Sequence, residues 1–152
     1  MWFRGLSNLN VDAKGRVAMP KVHRDTLDES GIVDLIVTAS PSKCLNVYAK
    51  DKYEELEQQL MALANAGSEA VQTAQRLIIG YATPVRLDGT GRMLLAPELR
   101  GWAAIDRKAV FVGQGSKFEI WGEARWEREF GICEDKKIDM SDAPPELLKL
   151  SF

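Results

Sequence analysis

Lys14 and Arg16, in the phrase Asp12-Ala-Lys-Gly-Arg16, are the side chains of this 152-residue sequence whose type and spacing best suit chemistry on another molecule. That chemistry is recognition of an anion. An arginine fork can bond guanine O6 and N7 together in the major groove of DNA, and a two-stranded β-ribbon is narrow enough to enter there. Arg4, Lys21 and Arg24 flank the phrase in sequence, and cations so placed suit phosphates, which set register without reading bases. Asp12 opens a second account of Arg16, an ion pair within the turn that locks it. The two accounts are compatible, because an aspartate that orients an arginine also reduces the entropy lost when the arginine binds.

The phrase recurs 76 residues later as Asp88-Gly-Thr-Gly-Arg92. In both copies the aspartate and glycine (Asp12 with Gly15, Asp88 with Gly91) fit the tip of a β-hairpin. Glycine takes the positive φ there, and the carboxylate bonds forward to backbone amides. The flanking sequence follows one plan. Pro20-Lys-Val-His-Arg24 answers Pro97-Glu-Leu-Arg100 as a short helix, Leu35-Ile-Val-Thr38 answers Val110-Phe-Val-Gly113, and Cys44-Leu-Asn-Val-Tyr48 answers Lys117-Phe-Glu-Ile-Trp121. Period-two alternation in the last pair marks half-buried strands with Leu45, Val47, Phe118 and Ile120 inward. Each unit closes on a helix, near Asp51 and near Glu123, which puts Tyr53 and Trp126 at equivalent places. A repeat of this kind implies two halves that share one core about a pseudo-twofold axis.

Between the repeats the period changes. Tyr53, Leu56, Leu60 and Leu63, then Val71, Ala74, Leu77 and Ile78, follow three-and-four spacing and predict an αα-hairpin of two amphipathic helices. Asp51 with Glu54 resembles a capping box, Gly67-Ser68 separates the helices and Gly80 ends the second. The apolar stripes fit either cover for the sheet or contact with a neighbouring subunit.

Composition bounds the rest. At 45% hydrophobic residues the chain supports one substantial core. It lacks an apolar run long enough for a membrane span, and Met1-Trp-Phe-Arg4 reads as folded sequence, not a cleavable signal, so a cytoplasmic protein is expected. The formal net charge of −2 conceals an asymmetry: residues 1–24 carry five cations against Asp12 alone, a balance of +4, whereas residues 81–100 balance at +1. Acids gather instead at Asp51–Glu57 and Glu127–Glu146.

Enzymatic chemistry finds few candidates. His23 is the sole histidine, and its place in the basic strip suits a structural or DNA-proximal imidazole better than a general base. Cys44 and Cys133 lack paired spacing and are expected as reduced thiols, and no zinc cluster of familiar spacing is present. Gly89-Thr-Gly91 and Gly113-Gln-Gly115-Ser-Lys117 complete neither nucleotide-binding glycine motif. A binding protein is expected, with no catalytic residue, metal, cofactor, small-molecule ligand or membrane partner. A ring-forming protein-interaction or antitoxin-like protein without sequence-specific DNA binding is the alternative.

Met1-Trp-Phe-Arg-Gly5, the Asp-x-x-x-Arg motifs at 12–16 and 88–92, Arg76-Leu-Ile-Ile-Gly80, Leu95-Ala-Pro-Glu-Leu-Arg100 and Val112-Gly-Gln-Gly-Ser-Lys-Phe-Glu-Ile-Trp121 together carry a resemblance. Over nearly its whole length the chain resembles the MraZ family of bacterial transcriptional regulators. The resemblance implies an α+β fold in which two tandem βαββα-type repeats intertwine into one swapped-hairpin β-barrel of the AbrB/SpoVT type. The expected domain spans 1–152, with a first repeat over 5–50, linking helices over 51–80, a second repeat over 81–124 and a C-terminal helix and tail over 125–152. It further implies a ring-shaped homo-oligomer and association with the nucleoid. The implied partner is double-stranded DNA with repeated promoter motifs, upstream of the division and cell-wall gene cluster, where the protein acts as a repressor. The family's DNA contacts carry over onto Lys14 and Arg16, and onto Arg92 of the second phrase. Thr90 stands where the first phrase has Lys14, so the two turns are not expected to bind equally.

Overall fold

The computed structural model describes residues 2–65, 67–131 and 139–152. Its first half runs β1 (Leu6–Asn10), β2 (Arg16–Ala18), α1 (Lys21–Glu29), β3 (Leu35–Ala39), β4 (Leu45–Ala49) and α2 (Lys50–Met61). After α3 (Glu69–Ile78) the same order returns as β5 (Thr83–Val85), β6 (Arg92–Leu94), α4 (Pro97–Ala103), β7 (Lys108–Gln114), β8 (Lys117–Gly122) and α5 (Glu123–Phe130), followed by the short α6 (Pro145–Leu148). Each unit is therefore ββαββα and not the expected βαββα. The difference lies at the hairpins, where the two strands part. Asp12 and Arg16 close the first tip, Val11 bridges Val17, and beyond that bridge the arms diverge.

The arms pair with the other repeat. β1 lies antiparallel on β7, with Leu6 opposite Val112 and Asn10 opposite Lys108, and β5 lies on β3, with Leu35 opposite Val85. β4 and β8 join the halves at the centre, giving one antiparallel sheet in the order β1-β7-β8-β4-β3-β5. β2 and β6 form a separate two-stranded ribbon in which Val17 faces Met93. The expected β-barrel is thus corrected to an open six-stranded antiparallel sheet plus a two-stranded ribbon. No ladder links the two, because each hairpin sends one strand to the sheet and the other to the ribbon.

Alternation along the strands supplies the main core. Val37, Leu45, Val47, Phe111, Phe118 and Ile120 project from one face of the sheet, and Val17 and Met93 meet them from the ribbon, all at most 1% exposed. The four inward residues expected from the period-two pattern are all among the buried. Burying a Leu or Phe side chain stabilises the fold by about 1.5–3 kcal/mol, so neither half could lose the other without exposing much of this core. His23 belongs here too. Only 2% exposed, it stacks on Phe118 at 5.7 Å or less from both phenyl rings, with Phe3 edge-on. On the reverse face Cys44, Val110 and Trp121 form a smaller cluster against Trp126.

The linking helices dock through their ends. The Thr38 hydroxyl donates to the Ile78 carbonyl at 2.8 Å and the Tyr53 hydroxyl donates to it at 3.0 Å, satisfying an acceptor that the end of α3 leaves open. The expected capping box is absent: β4 runs directly into α2, Ala49 is the cap residue, and Asp51 Oδ1 accepts from the Lys52 amide instead. The first helices also differ from expectation by one position. Pro20 precedes α1 and Pro97 is inside α4, so the 76-residue offset holds through both helices and pairs His23 with Leu99 and Arg24 with Arg100. Cys44 is a free, buried thiol whose burial pushes its pKa up to about 12, whereas Cys133 lies outside the described residues.

Candidate nucleic-acid interface

Each Asp-x-x-x-Arg phrase folds as one hydrogen-bonded unit. In the first, Asp12 Oδ1 accepts from the Lys14 and Arg16 amides, each at 2.9 Å, while Oδ2 accepts from Arg16 Nε at 2.8 Å. Gly15 at φ +85° turns the chain and donates to the Asp12 carbonyl at 3.0 Å. The Arg16 amide, the largest influence, and the Arg16 side chain hold the Asp12 carboxyl below the usual carboxylate range. Arg16 thus enters any contact with its orientation already fixed. The in-turn ion pair is made, with Arg16 bonding Asp12 through Nε.

The second copy has the same frame and a different tip. Asp88 Oδ1 accepts from the Thr90 and Arg92 amides at 2.9 Å each, and Arg92 Nε reaches Oδ2 at 3.2 Å. Thr90 turns inward and donates its hydroxyl to the same Oδ1 at 2.8 Å. The Arg92 amide first, then the Thr90 hydroxyl, hold this carboxyl far below its ordinary range. Lys14, at the place of Thr90, is exposed and makes no ion pair among the described residues.

The ribbon brings the two arginines together. With Val17 and Met93 turned into the core, the alternation directs Arg16, Ala18, Arg92 and Leu94 outward, and the register sets Arg16 opposite Leu94 and Ala18 opposite Arg92. Arg92 Nη1 stands 3.8 Å from Asp12 Oδ2, so the first turn's carboxylate lies between both guanidinium groups. Backbone bonds lock the repeats reciprocally: the Met19 amide donates to the Gly91 carbonyl at 2.8 Å and the Leu95 amide to the Gly15 carbonyl at 3.0 Å. Helix arginines pack in the same crossed fashion. A Cβ on Gly15 would stand 2.8 Å from Arg100 Nε, and one on Gly91 would stand 2.6 Å from Arg24 Cδ.

The remaining sequence candidates scatter. Arg24 buries its Nε with no hydrogen bond among the described residues, under the second turn and not the first. Lys21 is exposed and pairs with Asp25 at 2.7 Å, a surface contact of the kind worth about 1 kcal/mol or less. Arg4 is exposed at the far end of β1, eight residues before Asp12 and so about 25 Å from the turn along an extended strand. The +4 strip is therefore not one patch. His23 is a structural imidazole, its pKa lowered by burial.

Beside each turn the crossed packing leaves a cleft, and the two differ in chemistry. A cleft of about 590 Å³ beside the first turn is lined by Asp12, Ala13, Arg100, Asp106, Arg107 and Lys108 among others. Its counterpart beside the second, about 290 Å³, is lined by Arg24, Asp28, Ile32, Val33, Leu87 and Asp88 among others. Sequence reasoning passed over Arg107 and Lys108 because they lie more than ninety residues from the turn they flank. Only the exchange of strands between repeats brings them there.

Fold and site together define a class: a two-repeat α+β protein that presents paired, aspartate-braced arginines on a short ribbon. The family model described as "MraZ protein, putative antitoxin-like" matches residues 2–75 and 78–145, and the chain belongs to the MraZ family. A protein of Thioalkalivibrio sulfidiphilus named transcriptional regulator MraZ is 48% identical over 124 residues, covering 82% of each chain. Proteins of the same name from Coxiella burnetii and Nitrosomonas eutropha are 42% and 39% identical, the first covering 99% of both chains and the second 95% of this chain and 96% of its own. None of these names describes an enzymatic activity. No helix among the described residues is long and apolar enough to cross a membrane.

Proposed function

We propose that this chain is a DNA-binding transcriptional regulator that reads its operator with the first turn. One observation carries the reading: Arg16 is held by Asp12 at the tip of a narrow ribbon, with Lys14 exposed beside it and Arg92 on the same face. A braced arginine on a β-ribbon has the form that guanine readout in the major groove requires. The relatives' printed names favour the same role.

The finer reading follows the family. The chain acts in the cytoplasm at the nucleoid, as a repressor of the division and cell-wall gene cluster, and assembles into a ring that sets several first turns against repeated promoter motifs. Linked sites raise effective concentration, so modest single contacts suffice. The swapped-hairpin description is supported by β1 on β7 and β5 on β3. A gel shift on the protein's own upstream region, wild type beside Arg16→Ala, tests the proposal. Wild type is expected to shift the repeats, and Arg16→Ala to lose the specific complex while keeping the same elution volume on size exclusion. A normal shift by Arg16→Ala would refute the reading head. The family description's antitoxin-like wording favours a second reading; no DNA shift together with one stoichiometric protein partner in a pull-down would establish it.

A further inference from the structure

We infer that Arg107 and Lys108, carried by the second repeat, grip DNA backbone phosphate at the side of the first turn. The inference rests on the proposed DNA-binding function and extends it to residues outside the Asp-x-x-x-Arg phrases. Three observations combine. The first is position: the Arg107 carbonyl accepts the Val11 amide at 2.8 Å and Lys108 stands opposite Asn10, so both cations are pinned to the residues that lead into Asp12. A ribbon tip in the major groove, about 12 Å wide, brings the base of its turn to the phosphates at the groove's lip.

The second is charge. Arg107 and Lys108 are exposed, and among the described residues neither makes an ion pair. They border the cleft with Arg100, whose Nε is fixed on the Leu95 carbonyl at 3.1 Å. Of the two carboxylates lining it, Asp12 is committed to Arg16, which leaves Asp106 as the counterweight to three cations. The cleft is net positive, open to water and larger than a single side chain needs.

The third is an internal control. The cleft beside the second turn is lined by Ile32 and Val33 from the corresponding loop, with Arg24 as its lining cation and Asp28 as a lining carboxylate, Asp88 being committed to Arg92. That cleft offers a phosphate Arg24 alone, where the first offers Arg100, Arg107 and Lys108. The fold alone does not demand cations at this loop, since one repeat manages without them.

The test is a salt titration of DNA affinity for wild type, Arg107→Gln/Lys108→Gln and a remote control, Lys50→Gln/Lys52→Gln. Each phosphate contact contributes about 0.9 to the slope of log K against log salt. The cleft variant is expected to flatten that slope by between about one and two, to weaken promoter and random DNA by a similar factor, and to keep the ranking of sequences. The control is expected to match wild type, and circular dichroism melts of all three to coincide. An unchanged slope in the cleft variant, with wild type binding and Arg16→Ala defective, overturns this inference alone. Normal binding by Arg16→Ala overturns the reading-head proposal, and no binding by wild type overturns both. A saturable thermal shift of wild type with inorganic phosphate, lost in the cleft variant while its DNA slope stays unchanged, would make the cleft a free-phosphate site and contradict the assignment.

Discussion

The two turns share a backbone and an aspartate-braced arginine, and differ in the other side chains that surround them. Both place an aspartate carboxylate under the amides two and four residues on, both hold an arginine Nε on the second oxygen, and both receive a backbone bond from the opposite repeat. At the first, Lys14 is exposed and the neighbouring cleft carries Arg100, Arg107 and Lys108. At the second, Thr90 turns back onto Asp88 and the cleft is lined mostly by apolar residues, with Arg24 as its lining cation. Duplication supplied the frame twice, and the side chains that frame does not constrain have diverged. Structural roles should therefore be symmetric between the repeats and binding roles should not.

Symmetry of the frame is broken most severely through the core. Met19 and Leu95 occupy equivalent positions, each at most 1% exposed, and each donates its amide to the other repeat's turn glycine. Met19→Ala and Leu95→Ala are expected to cost about 2–5 kcal/mol apiece in urea unfolding, because a buried side chain is replaced by a cavity. A large loss in only one of them would contradict the shared core. Next come the turn glycines. Gly15→Ala and Gly91→Ala place a Cβ at φ +85° and +79° and against a guanidinium group, and each is expected to lose about 1–2 kcal/mol.

A smaller effect distinguishes the repeats by pH. His23 is buried where the second repeat has Leu99, and burial lowers its pKa. A base with a depressed native pKa stays neutral when folded, so protonation favours the unfolded chain. Stability is then complete above the unfolded histidine pKa of about 6.5 and falls as pH drops from there through the native value. His23→Leu, which copies the second repeat, is expected to flatten the denaturation midpoint across that window. An unchanged pH profile would show that the imidazole is not held neutral.

The repeat, the inward strand residues and the turn chemistry were legible in the sequence, because each depends on local spacing. Leu45, Val47, Phe118 and Ile120 announce their side by alternation, and Asp12 and Asp88 announce their turns by the glycine three residues on. Strand partners were not legible. Nothing near Val11 indicates that the hairpin arms separate, since that is decided by the β7 edge and the partner ribbon strand from the other repeat. The charge count failed for the same reason: it joined Arg4 and Arg24 to the first turn, while the fold carries Arg4 to the far end of β1 and lays Arg24 beneath the second turn. The cations that do flank the first turn come from residues 100–108.

The unequal division of labour is tested most directly by equilibrium DNA binding of Arg16→Ala and Arg92→Ala, measured side by side on the same promoter repeats. A bidentate base contact is worth about 1–3 kcal/mol, so Arg16→Ala is expected to lose roughly 10- to 100-fold or more in specific affinity. Arg92→Ala is expected to stay within about the threefold change of a lost peripheral contact. Equal losses in the two variants, or a larger loss in Arg92→Ala, would contradict the account.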